Sequence, residues 1–178
     1  LPLRLLELGG GPSDVALLAG VSAFAEIPAM LVVGSIASRI GIRGLIAACI
    51  LVYAACFASW VVLDSPLLIV ATRVATGFSF AGLWVGSVLT MAVLLPPRLQ
   101  ATGQGLYQLT GFGLAAVVAN VVGGFLYGAF GSEIVFVLAT LLALAAAALA
   151  YAVFPRTGEQ VAREEDFERS LPFPAMPG

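Results

Sequence analysis

The chain has 178 residues, of which 61% are apolar and only 10% charged, with a net charge of −2; a soluble domain charges about a quarter of its residues to face water, so lipid must be the solvent here. All eight basic residues are arginines spread along the chain, which leaves no basic tract for nucleic acid and excludes it as a partner. With no His and no paired acidic residues inside the apolar segments, an intramembrane enzyme lacks its nucleophile–base or metal cluster, and no cofactor or metal site is expected.

A spanning helix needs about 20 apolar residues, because each adds about 1.5 Å across a hydrocarbon core of about 30 Å. Residues 1–12 read as the end of a preceding helix followed by an extracellular loop, Gly9-Gly10-Gly11-Pro12. The chain starts without Met and without a visible signal peptide, which reads as a fragment of a longer protein. A transmembrane bundle is expected over 13–154, with spans at 15–36, 45–63, 67–95, 104–127 and 134–154. Turn chemistry separates them: Gly41-Ile42-Arg43-Gly44, Asp64-Ser65-Pro66, Pro96-Pro97-Arg98 and Gly128 to Ser132 combine residues that end helices or tolerate water. Residues 155–178 mix Glu159, Glu164, Glu165, Asp166 and Glu168 with Arg and Pro and read as a disordered cytoplasmic tail. The expected fold class is therefore all-α integral membrane: a helical bundle of five complete transmembrane helices plus the end of a sixth.

Short loops that carry the excess of arginine stay in the cytoplasm. Arg39, Arg43, Arg98, Arg156, Arg163 and Arg169 fall on one side if the spans alternate, and Arg4 lies opposite with Asp14, Asp64 and Glu133. The C-terminus is then cytoplasmic. Cys49 and Cys56, seven apart on one helix face, are too far apart for a local disulfide and read as small buried hydrophobes. Glycines thin the third span at Gly77, Gly82 and Gly86 and the fourth at Gly103, Gly105, Gly111, Gly113, Gly123 and Gly124. Such residues allow close helix approach in lipid, either for static packing or for surfaces that rock against each other.

Glu26 is the most informative residue. An ionised carboxylate in the middle of a span costs about 3 kcal/mol on insertion scales, so it must face protein or water, where its charge state can follow conformation. Two readings stand beside each other: a proton-coupling site, or a structural carboxylate. Arg73, one and a half turns into the third span, can snorkel outward or reach toward Glu26. Thr76, Trp84, Gln104, Gln108 and Asn120 are candidates to line a cavity for a small polar solute, against a bland reading as interhelical hydrogen bonds. A non-transporting membrane scaffold or receptor remains the alternative from another class.

The stretch Gly34-Ser35-Ile36-Ala37-Ser38-Arg39-Ile40-Gly41-Ile42-Arg43 resembles the signature loop of the major facilitator superfamily, with Ser38 where an acidic residue is usual and Ile42 in place of a basic one. Gly34, Arg39, Gly41 and Arg43 are the matching positions. Arg73-Val74-Ala75-Thr76-Gly77 is similar to that family's Arg-x-x-x-Gly pattern, and Glu26-Ile27-Pro28-Ala29-Met30-Leu31 is similar to bacterial sugar efflux transporters of the lactose permease-like branch. The resemblance implies half of a twelve-helix fold, here the C-terminal half, in a bacterial inner (plasma) membrane. It further implies a substrate site shared with the missing other half, lined on this side by Ser22, Glu26, Thr76, Trp84, Gln104, Gln108 and Asn120, and transport of a small solute as symporter, antiporter or efflux permease by alternating access, either proton-linked or facilitative. The implied partners are membrane lipid, that other half and the small-molecule substrate.

Overall fold

The computed structural model describes residues 1–154, so the expected tail at 155–178 lies outside the described residues. Helices α1 (Pro2–Glu7), α2 (Pro12–Val62), α3 (Pro66–Leu94), α4 (Pro97–Gln108), α5 (Ala115–Phe130) and α6 (Ser132–Val153) follow one another, with a π-helical turn, Leu109–Leu114, joining α4 to α5. The local code is proline at the start and glycine at the corner. Proline opens α1, α2, α3 and α4, where its missing N–H is one of those a helix start leaves free and its φ is already helical. The Asp14 carboxylate accepts the backbone N–H of Gly11 at 2.8 Å and caps the first turn of α2.

Four helical stretches are long and apolar enough to cross a membrane: Pro12–Val62, Pro66–Leu94, Pro97–Phe130 and Ser132–Val153. The sequence reading separates spans 15–36 and 45–63 by residues 37–44, with the turn at Gly41-Ile42-Arg43-Gly44. Instead both fall in α2, where the non-helical residue is Gly41, at φ 75° and ψ 162°. That conformation belongs to glycine alone, so one residue does the work of the expected loop and the chain leaves its helix on one side and re-enters it on the other. Gly41→Ala is expected to cost about 1–3 kcal/mol of strain, read as a lower melting temperature of the purified full-length protein in detergent.

Packing centres on α2, against which α3 and α6 lie. One cluster joins Leu5, Leu18, Cys56, Trp60, Ile69, Val70 and Phe136, tying α1, both arms of α2, α3 and α6 at one end. A second joins Ala29, Val33 and Ala37 to Leu45, Cys49 and Ala81, closing the arms of α2 upon each other around Gly41. Both cysteines are buried and free. The glycines of α3 take the close contacts: a Cβ at Gly77 would run into the Ser22 carbonyl oxygen, one at Gly82 into the Cys49 sulfur, and one at Gly86 would stand 3.0 Å from Ile46.

The fourth span shows little of the close helix approach that its glycines allow. Gly103 lies against Leu95 and Met91, but Gly105, Gly111, Gly123 and Gly124 have nothing within 4 Å among the described residues. No residue of α4, the π turn or α5 is buried. Phe24, Ile27 and Leu31 of α2 and Val117, Val121 and Phe125 of α5 are likewise exposed. Apolar surface on this scale is untenable in water and requires lipid or further protein.

Candidate functional site

The ionisable side chains inside the bundle lie along the seam between α3 and the first arm of α2. Arg73 is half-buried and donates its Nε–H to the backbone carbonyl of Leu18 at 3.1 Å. One turn further along both helices, Gly77 lets the Ser22 backbone approach. The Ser22 hydroxyl, buried, donates to Glu26 Oε1 at 3.4 Å. Thr76 is fully buried and donates to the Arg73 carbonyl at 3.1 Å. Arg73, Ser22, Glu26 and Thr76 are therefore brought together, along a step of four residues per contact that only a glycine at position 77 permits.

Glu26 and Arg73 do not meet as an ion pair: the salt bridges of the described residues are Arg4–Glu7 at 3.9 Å and Arg4–Asp64 at 3.2 Å. Tyr53, on the second arm of α2, lies close enough to feel both charges. The sequence reading did not single it out, and only the fold of the arms around Gly41 brings it there. Arg73 is held by a backbone carbonyl and Glu26 by a single hydroxyl, so each charge keeps unspent hydrogen-bonding capacity.

The remaining candidates divide. Trp84 is half-buried and sits in a group of rings with Phe80 and Phe112. Gln104 holds both its amide nitrogen and oxygen away from solvent with no hydrogen-bond partner among the described residues. Gln108 is half-buried at the last position of α4, directly before the π turn. Asn120 is exposed and donates to the Ala116 carbonyl of its own helix at 2.7 Å, apart from the other candidates. Phe112 escaped the sequence reading although Gly111 and Gly113 flank it; that pairing was the available signal.

The loop candidates surround the Gly41 corner. Gly34 and Arg39 are exposed, and Gly41 is buried. The Arg43 guanidinium carbon lies 3.7 Å from the centre of the Tyr151 ring, pinning the start of the second arm of α2 to the end of α6. Arg43→Ala is expected to lower stability by about 0.5–2 kcal/mol, the range for a cation–π contact, and Tyr151→Leu to reproduce the loss. Thermal unfolding of single and double variants checks this, since shared loss in the double variant marks one interaction.

Helices of this length and apolarity make the chain an integral membrane protein. Its sequence matches the profile of the Major Facilitator Superfamily over residues 1–177. It is 30% identical over 145 residues to the uncharacterized MFS-type transporter YfkF of Bacillus subtilis (strain 168), an alignment covering 79% of this chain and 36% of that protein. The chain thus spans about a third of its relative's length. No solved structure matches it significantly. The chain belongs to the Major Facilitator Superfamily.

Proposed function

We propose that this chain is one half of a secondary transporter that moves a small solute by alternating access, with Glu26 carrying a coupling proton and Arg73 controlling it. The observation that carries the reading is the seam itself: two ionisable side chains inside membrane-length helices, neither paired with the other, linked through Ser22 and the Leu18 carbonyl. Intramembrane charges are costly and are kept where they serve transport. The two arms of α2 cross separately on this reading, making five spans within 13–154, each arm being long enough for the hydrocarbon core. Arg39, Arg43 and Arg98 then face the cytoplasm, and Arg4, paired with Asp64, faces outside.

The other half of the transporter covers the uncovered α4–α5 face, and the substrate binds between the halves, near the midplane. The membrane is a bacterial inner membrane by analogy with the Bacillus relative. A purely structural role for Arg73 is the second reading, favoured by its bond to the Leu18 carbonyl. Exchange of labelled solutes across proteoliposomes holding the full-length protein tests the proposal. Saturable exchange of at least one solute, blocked by excess unlabelled solute, is the expected result; impermeability to sugars, aromatic amides, nucleosides and organic acids alike would overturn it in favour of a scaffold.

A further inference from the structure

Four aromatic rings from α3 and the fourth span converge at the π turn. Phe112 is the hub: its ring lies 5.8 Å from Phe80, 5.8 Å from Trp84 and 6.5 Å from Tyr107 between centroids, each edge to face. Phe80 and Trp84 lie 6.1 Å apart, tilted. An unbroken α-helix would not build this group, because residues five apart, such as Tyr107 and Phe112, diverge by about 140° around its axis. The π turn Leu109–Leu114 bonds each residue to the fifth one on and so draws Phe112 toward the face of Tyr107; such turns recur at functional sites.

The cluster is open. Phe112, although its hub, is 46% exposed, and Gly111 beside it has nothing within 4 Å. One turn before Tyr107 on the same helix face, Gln104 offers a buried, unpartnered amide with two donors and an acceptor. A buried amide without partners is unfavourable and calls for an explanation, which an absent hydrogen-bonding ligand supplies. None of the described ion pairs or cation–π contacts involves these side chains, so a charged group would find no charged partner in place.

We propose that Phe80, Trp84, Tyr107 and Phe112 form the ring-binding wall of the substrate site, with Gln104 as its polar anchor, and that the substrate class is a neutral molecule bearing an aromatic ring and an amide or hydroxyl group. The proposal rests on the transporter reading above and names its substrate chemistry. A further ring extends the edge-to-face geometry already present at separations of 4.5–7 Å. A sugar, whose C–H face also stacks on rings, needs polar partners for several hydroxyls around its rim, and Phe80 and Phe112 offer none.

The test is equilibrium binding to the full-length protein in proteoliposomes of tritiated N-acetyl-L-phenylalaninamide, a neutral ring with two amides, and of labelled glucose. Saturable binding of the ring amide, weakened at least tenfold by Phe112→Leu and by Gln104→Leu and retained in Phe112→Tyr, is expected, with glucose bound weakly or not at all. Gln104→Leu discriminates best: replacing an unpartnered buried amide by an apolar side chain leaves the fold unharmed or firmer, so its loss of binding cannot come from unfolding. Glucose binding without ring-amide binding overturns the substrate class and leaves transport standing. Ring-amide binding unchanged in both Phe112→Leu and Gln104→Leu returns the cluster to packing and overturns the proposal, as does no saturable binding of either probe. Binding that depends on Phe112 without any flux supports the wall and overturns the transporter reading.

Discussion

Gly77→Leu is expected to part α3 from the first arm of α2 and to prevent a stable bundle. A Cβ at Gly77 meets the Ser22 carbonyl oxygen, which is backbone, with the Ala25 side chain 3.1 Å away. A flexible side chain can turn aside, but a helix carbonyl moves only if the helix does. Overpacking a close contact typically costs about 1–3 kcal/mol, and a backbone obstacle places this case at or above the top of that range. The displacement would also carry Arg73 away from Leu18 and loosen the cluster around Ile69 and Val70. Size-exclusion profiles and melting temperatures of the purified full-length protein check it: aggregation or a fall of many degrees is expected. Gly82→Leu should behave less severely, since its obstacle is the Cys49 sulfur, and Cys49→Ala should relieve part of the loss. A Gly77→Leu protein as stable as the parent would contradict the close α2–α3 approach.

Arg73→Ala is expected to reduce transport more than tenfold while lowering stability little. The interaction removed is one hydrogen bond to the Leu18 carbonyl, and interhelical hydrogen bonds in membranes contribute about 0.6 kcal/mol on average and at most about 1.7. Leu18 O also accepts its own helix bond, so nothing is left stranded on α2. If Arg73 only fastened two helices, expression and activity would fall together and modestly. If it serves the transport step together with Glu26, activity falls alone. Initial rates normalised to folded protein, with Arg73→Lys beside Arg73→Ala, separate these outcomes; the lysine variant restores charge without the fork of donors.

The helix starts and the two intramembrane charges were legible because each rests on one residue's chemistry. Pro12 and Pro66 open helices close to the expected span starts at 15 and 67, whereas Pro97 opens its helix well before the expected start at 104; Glu26 and Arg73 stand out because lipid makes any charge conspicuous. Gly41 was legible as a break but not as a one-residue corner, since a glycine between apolar runs serves either a loop or a single positive-φ residue. The contacts of the two charges were hidden as well. Arg73 reaches the Leu18 carbonyl rather than Glu26, a choice set by the α2–α3 register, which composition does not encode. The glycines of the fourth span looked like those of the third, yet Gly77 is pressed against α2 while Gly123 and Gly124 meet nothing among the described residues. Spacing reports which face is small; it does not report what lies opposite. The π turn was invisible for a related reason, because it shifts helical register without breaking the apolar run, and with it went the role of Phe112.

The central claim is that Glu26 couples solute movement to protons, and Glu26→Gln measured in energised vesicles tests it most directly. Glutamine keeps the side chain's size and can still accept from the Ser22 hydroxyl, but it cannot gain or lose a proton. Wild-type full-length protein should accumulate or expel its labelled solute against a gradient and stop when a protonophore is added. Glu26→Gln should lose gradient-driven movement while retaining solute counterflow and normal membrane insertion. Gradient-driven movement that survives in Glu26→Gln, or a variant that fails to insert at all, would contradict the account and make Glu26 a structural carboxylate.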